Sequence, residues 1–301
     1  MYEQIAGNKR RSFFLIFFFV LFVLLIGYVF GRVTYFGYAG TFAAAVIAVA
    51  MSFGSYYYSD RIVLTMSRAR SASEEEFPHL NNVVEGLAIA AGIPKPKVYV
   101  INDSAPNAFA TGRDPEHSAV AVTTGLLQKM NREELEGVVA HELSHIRNYD
   151  IRLMTLTVVM VGIIALLSDW LLRSFLWGGR RRDEDSGYIG LVLMLLGLVL
   201  AILSPIIAQL IRLALSRQRE YLADASGAML TRYPPGLAHA LMKIASDTEP
   251  LEVANKATAP LYIATPANLR SRKAWALWNT HPPVEDRIKR LEEMSFERMP
   301  E

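Results

Sequence analysis

The sequence predicts a mainly helical, membrane-anchored protein: four transmembrane helices plus an α+β domain with a small β-hairpin. Three observations predict it. Hydrophobic residues make up 52% of the 301 residues, and the mean hydropathy is +0.22, above what an average soluble chain shows. The excess is gathered into four stretches of about bilayer length. The polar remainder carries helical and strand periodicities, punctuated by Gly and Pro. Intrinsic disorder and a fully soluble enzyme fit none of these.

The first stretch runs from Phe13 to Gly31, 19 residues without a charge. Its length exceeds a signal-peptide core, and no small-x-small cleavage site follows directly, so it reads as an uncleaved span. The second runs from Val33 to Ser59, separated from the first only by Arg32, so the two form a hairpin. The third, Leu153 to Leu172, is the weakest, with Asp169 near its end. The fourth, Tyr188 to Ile211, is uncharged and contains Pro205. Lys9, Arg10 and Arg11 precede the first span; Arg61, Arg68 and Arg70 follow the second; Arg212, Arg217 and Arg219 follow the fourth. With four crossings these clusters share one side, which the positive-inside rule makes cytoplasmic. Arg180, Arg181 and Arg182 resist this, since the same topology puts them outside.

The polar blocks begin with a helical pattern from Phe77 to Ala91, ended by Gly92 and Pro94. Lys97 to Ile101 reads as a strand. Asn107–Thr111 and Ala119–Thr123 read as a hairpin pair with turn residues at Gly112–Pro115. Another helix starts at Asn131, which with Glu134 forms a capping-box pattern. It continues through Leu135, Val138, Val139 and Leu143.

That helix carries His141-Glu142-Leu143-Ser144-His145. Histidines at i and i+4 share a helix face and can bind one tetrahedral metal, with Glu142 in reach of its water. Catalytic zinc takes three protein ligands and keeps one open position. Glu220, just after the fourth stretch, is the candidate third ligand. Asp224, one turn later, can orient a ligand histidine through its second ring nitrogen. If one metal joins these motifs, both lie on one side of the membrane, and two crossings between them allow that. There is no cysteine, so thiol nucleophiles, disulfides and Fe–S sites are excluded, and any metal must use His, Glu or Asp. A net charge of +2 is too balanced for a nucleic-acid partner. His79, His117 and His239 lack metal-like spacing.

Four segments together resemble the HtpX-type membrane zinc endopeptidases, relatives of the CAAX prenyl endopeptidases: Asn107-Ala-Phe-Ala-Thr-Gly112, His141 to Asp150 (HELSHIRNYD), Ser216 to Asp224 (SRQREYLAD), and Thr280-His-Pro-Pro283 followed by Arg287 and Ile288. The resemblance spans nearly the whole chain. It implies a zincin-like (gluzincin) catalytic domain and one Zn2+ held by His141, His145 and Glu220. Metal-assisted peptide hydrolysis would follow, with Glu142 as general base. His281, Arg217 and Arg287 are candidates for stabilising the oxyanion, and His281 can equally cap or gate the site. Asn107, Ala108, Phe109, Ala110 and Thr111 become a substrate-binding edge strand. The implied domains are 1–59 (anchor hairpin), 60–150 (first catalytic part), 151–215 (second hairpin) and 216–301 (second catalytic part). The implied setting is a bacterial-type inner membrane, with both termini and the active site cytoplasmic. The implied task is hydrolysis of misfolded membrane proteins; peptide substrates and the lipid bilayer are the partners. Two alternatives stand beside it: a specific processing protease such as a prenyl-peptide cleaver, and a non-catalytic adaptor with a vestigial metal site.

Overall fold

The structure is a computed structural model that describes residues 2–33, 37–160, 162–163, 217–254, 258–264 and 282–296. Two long helices come first, α1 (Tyr2–Val33) and α2 (Gly37–Met66). A four-stranded sheet follows, built from β1 (Ala69–Ser71), β2 (Lys97–Ile101), β3 (Ala108–Asp114) and β4 (His117–Thr123) in the order β1-β2-β4-β3. β2 and β4 are parallel; the other pairs are antiparallel. The helices of the body are α3 (Pro78–Ala91), α4 (Thr124–Lys129), α5 (Arg132–Arg147), α6 (residues 150–160), α7 (Arg217–Thr231), α8 (Pro234–Ser246) and α9 (Val284–Phe296).

Strand periodicity distributes the sheet's side chains between two cores. Val98, Val100, Ala108, Ala110, Val120 and Val122 face one core, which α3, α5 and α8 complete with Leu80, Val138, Leu143 and Leu241. Ile101, Phe109, Ala119 and Ala121 face the other, completed by Val63 and Leu64 of α2, Met154 and Val158 of α6, and Tyr262. Phe109 meets Tyr262 edge-on at 5.1 Å between ring centroids. A third cluster joins Phe19 and Val23 of α1, Ala48 of α2, and Leu156 and Met160 of α6.

Local signals place the element boundaries. Gly92 ends α3 in the left-handed region at φ 67°, as a C-capping glycine does. Asn131 and Glu134 close a reciprocal capping box at 2.9 and 2.8 Å. The hairpin turn differs from the expected Gly112–Pro115. The strands run on to Asp114 and restart at His117, because Asp114 Oδ1 accepts the His117 backbone N–H at 2.8 Å and tightens the turn. Gly112 stays within β3 at φ 137°, beside a register shift. A Cβ there would stand 2.3 Å from the His117 carbonyl oxygen, so only glycine fits.

The helix that starts at Asn131 does not extend through the whole HELSHIRNYD segment. α5 ends at Arg147, and Tyr149 takes a left-handed φ of 60°. The chain then turns so that Asp150 opens α6.

The first predicted span falls within α1, and most of the second lies on α2. Among the described residues no helix is long and apolar enough to cross a membrane. The third predicted span is described only at 153–160 and 162–163; the fourth and the Arg180–Asp185 loop lie outside the described residues.

Candidate metal centre

α5 brings His141 and His145 to one face, one turn apart. Their rings are nearly perpendicular, at 88°, with centroids 4.8 Å apart and the two Nε2 atoms 3.2 Å apart. α7 lies across that face and presents Glu220, with Oε1 3.6 Å from His145 Nε2 and Oε2 3.9 Å from His141 Nε2. Ligand atoms from these three residues all lie within 4.8 Å of one another. Ligand bonds of 2.0–2.1 Å put the corners of a tetrahedral zinc site about 3.3 Å apart. The spacing therefore fits a small divalent ion with only slight closure.

Electrostatics agrees with the geometry. Glu142, Asp150, Glu220 and Asp224 converge with two guanidinium groups, Arg219 and Arg287, and all four carboxylates are buried. In the ligating state, with both imidazoles neutral and all four carboxylates ionised, four negative charges against two positive leave an excess that a divalent cation would balance. Burying such an excess uncompensated is costly.

Carboxylates orient both histidines. Asp224 Oδ1 lies 2.9 Å from His141 Nδ1, and Asp150 Oδ2 lies 3.2 Å from His145 Nδ1. In each case the carboxylate takes the Nδ1 side and leaves Nε2 facing Glu220, the arrangement that tunes a ligand imidazole. Burial lowers the His141 pKa, and its contact with Asp224 only partly opposes this. Burial also acts to lower His145, but the hydrogen bond to Asp150 and the charge of Glu220 outweigh it and raise the ring to about 9.

Glu142 lies between the histidines in sequence and is 2% exposed. Burial pushes its carboxyl up to about 7, and the nearby Glu220 charge adds to this. The Ala110 backbone of β3 hydrogen-bonds to it and acts the other way. A carboxyl poised near neutrality is suited to proton transfer.

Arg287, on α9, is 1% exposed. Its Nε and Nη2 donate to Asp224 at 2.8 and 2.7 Å, and Nη1 donates to the Ile263 carbonyl at 2.8 Å. Burial pulls its pKa down, and the Asp224 carboxylate more than reverses this. Its donors are thus engaged with the protein, and it acts on His141 through Asp224. Arg217 stands exposed at the start of α7. His281 lies outside the described residues. The three histidines without metal-like spacing, His79, His117 and His239, are all exposed.

Asn107 through Thr111 are at most 3% exposed. Thr123 donates to the Asn107 carbonyl at 3.0 Å, so by alternation the backbone groups of Ala108, Ala110 and Gly112 face away from β4. Ile263 N–H already donates to the Ala108 carbonyl at 2.9 Å. The outer edge of β3 is therefore partly covered by the 258–264 segment.

Two contributors carry no sequence signal. Gly227, two turns after Glu220, lets α7 lie against the histidine turn: a Cβ there would stand 3.0 Å from the His141 backbone nitrogen. Asn8, at the start of the chain, donates to Asp150 at 2.7 Å.

The chain is similar to known proteins. The profile of peptidase family M48 matches residues 74–295. A protease HtpX homolog of Dictyoglomus turgidum is 52% identical over 295 residues, covering 97% of this chain and 94% of that protein. One from Caldanaerobacter subterraneus subsp. tengcongensis is 49% identical over 298 residues, 98% of each chain. One from Listeria monocytogenes serotype 4a is 45% identical over 304 residues, covering 98% of this chain and all of that protein. A crystal structure of S. mikatae Ste24p overlays with a TM-score of 0.49 at 18% identity, over 97% of this chain and 67% of that one.

Proposed function

The chain belongs to peptidase family M48 and is a metalloprotease; from that premise we propose that it is a membrane-anchored zinc endopeptidase acting on misfolded membrane proteins at the cytoplasmic surface. The observation that carries this reading is the convergence of His141, His145 and Glu220 within 4.8 Å.

In this reading His141, His145 and Glu220 would hold zinc, the Nε2 atoms of both histidines facing the Glu220 carboxylate. When bound, the ion supplies Lewis acidity toward the scissile carbonyl and the attacking water. Glu142 accepts the water proton and returns it to the leaving amine, a role that its carboxyl near 7 suits. Asp224 and Asp150 hold the two imidazoles in the tautomer that presents Nε2. Arg287 keeps Asp224 ionised and aimed. Substrate backbone pairing along the β3 edge would have to displace the contacts already there, from Ile263 to the Ala108 carbonyl, from Ala110 to Glu142 and from the Gly112 N–H to Thr155.

Membrane anchoring has its own support. Phe13, Phe14, Phe17, Phe18, Leu21 and Leu25 of α1 are exposed, as are Phe42, Val46, Ile47, Val49 and Phe53 of α2. An apolar surface this extensive marks contact with lipid or protein. The amino-terminal turns of α1 and the carboxy-terminal turns of α2 both pack on the body that carries the site. The basic groups Lys9, Arg10, Arg11 and Arg61 flank these ends, as the positive-inside rule expects for a cytoplasmic site. The catalytic body is then one domain divided in sequence, 60–150 with 216–301, and interrupted by a second hairpin at 151–215 whose first turns, in α6, pack into the body.

The test is direct. Detergent-purified protein should hold one zinc per chain and cleave an unfolded protein such as casein. Glu142→Gln should keep zinc and lose cleavage; Glu220→Ala should lose both. Normal cleavage by Glu142→Gln would refute the proton-transfer role, and undiminished zinc in Glu220→Ala would refute the ligand set.

A further inference from the structure

We propose that Asn8, on the amino-terminal helix, is a positioning residue of the metal centre, acting on His145 through Asp150. The inference rests on the ligand assignment above and extends it to a part of the chain otherwise read as membrane anchor.

Asn8 and Asp150 are each 2% exposed, although 142 residues separate them. The Asn8 side-chain amide donates twice, to Asp150 Oδ1 at 2.7 Å and to the Asn148 carbonyl at 3.0 Å. Its own oxygen accepts from Arg219 Nη1 at 3.4 Å. The other Asp150 oxygen faces His145 Nδ1 at 3.2 Å. One carboxylate oxygen is thus held by Asn8 of α1, with Arg219 Nη1 also 3.6 Å away, and the other faces His145.

The backbone explains why such a hold is needed. Asp150 reaches His145 only because the chain breaks after α5, with Tyr149 at φ 60°. A left-handed non-glycine residue costs about 1–2 kcal/mol, so its surroundings must favour the turn. α1 grips the turn at all three residues. Asn8 takes the Asn148 carbonyl and the Asp150 carboxylate, and Lys9 Nζ sits 4.4 Å from the centre of the Tyr149 ring. Without that grip, continuing α5 through 148–150 would carry Asp150 away from His145. The anchor helix therefore serves as a structural part of the catalytic site, and a change in its seating reaches His145 in two hydrogen-bonded steps.

The experiment uses full-length protein in detergent and measures zinc affinity by competition with a chromophoric chelator. Asn8→Leu keeps the branched outline, though it is bulkier, and removes the donor; Asn8→Asp keeps size and shape, removes the donor and sets a second carboxylate against Asp150. Each should weaken zinc binding about tenfold, the lower end for loss of an outer-layer partner, with helix content by circular dichroism unchanged. Asp150→Asn should weaken it by at least as much. The Asn8→Leu, Asp150→Asn double variant should bind no more weakly than Asp150→Asn alone, because Asn8 acts through Asp150. Zinc affinity equal to wild type in both Asn8 variants would overturn the proposal. A full additional loss in the double variant would also overturn it, since a general structural role adds. Glu220→Gln measured in parallel separates the premise: if it binds zinc like wild type, the ligand set fails and the role of Asn8 with it.

Discussion

Arg287→Ala is the most demanding test of the electrostatic design. The guanidinium is 1% exposed and makes a two-point contact with Asp224 at 2.7 and 2.8 Å, a third with the Ile263 carbonyl, and lies 3.7 Å from Glu220. Removing it leaves Asp224 buried beside a second carboxylate. One-sided removal of a buried ion pair costs about 3–5 kcal/mol, a large part of the 5–15 kcal/mol typical of a domain. The titration of Asp224 gives a second measure. Burial alone would raise its carboxyl, but the Arg287 charge reverses this and holds it at about 2, against an ordinary 3.8. That depression corresponds to about 2 kcal/mol. For a depressed acid, the contribution is fully present above 3.8 and is lost as pH falls through 2. The assay is thermal or urea unfolding of chelator-treated protein between pH 7 and pH 2. Arg287→Ala should lose at least 2 kcal/mol at pH 7, and the gap to wild type should close toward pH 2. Zinc affinity should fall about 10- to 100-fold, because His141 loses its oriented partner. The Arg287→Met, Asp224→Leu pair should recover stability without recovering zinc affinity, since no charge is left stranded. A loss below 1 kcal/mol for Arg287→Ala, or a double variant no more stable than the single, would refute the argument.

Glu142→Gln should stabilise the chelator-treated protein at alkaline pH. Burial raises Glu142 to about 7, so the fold favours its neutral form. Wild type loses stability as pH rises from 4.5 through 7, while glutamine does not, giving a gain of about 1–3 kcal/mol at pH 8.5 and next to none at pH 4; equal melting curves at both pH values would contradict it. Gly227→Val should weaken zinc binding, because a Cβ placed 3.0 Å from the His141 nitrogen pushes α7 and Glu220 off the histidine turn; chelator competition measures it. Gly137→Ala should destabilise by about 1–3 kcal/mol without altering the ligands, since its Cβ would stand 2.6 Å from the Leu237 nitrogen of α8; unfolding with zinc affinity as the control separates the two effects. Asn131→Ala should cost about 1 kcal/mol through the lost capping box, and an unchanged unfolding midpoint would show that the cap contributes nothing.

Much of the site is legible in the sequence because its first half is local. Helical spacing alone puts His141 and His145 on one face, and the Asn131–Glu134 cap starts that helix where the pattern says. The motifs around Glu220 and Asp224 nominate partners by spacing and by resemblance. Boundaries were less legible. The hairpin turn moved because the Asp114 side chain captures the His117 backbone, and the end of α5 at Arg147, before the left-handed Tyr149, has no local signal in the sequence. The sequence by itself therefore determined the pair of histidines on one helix face with Glu142 between them, and the alternation that builds the sheet, since each follows from residues within a few turns of one another. Only the tertiary structure decided that Asn8 reaches Asp150, that Arg287 serves Asp224, and that Ile263 covers part of the β3 edge. Those contacts join residues 63 to 155 positions apart, and their formation depends on how helices pack around the sheet, which no local pattern encodes.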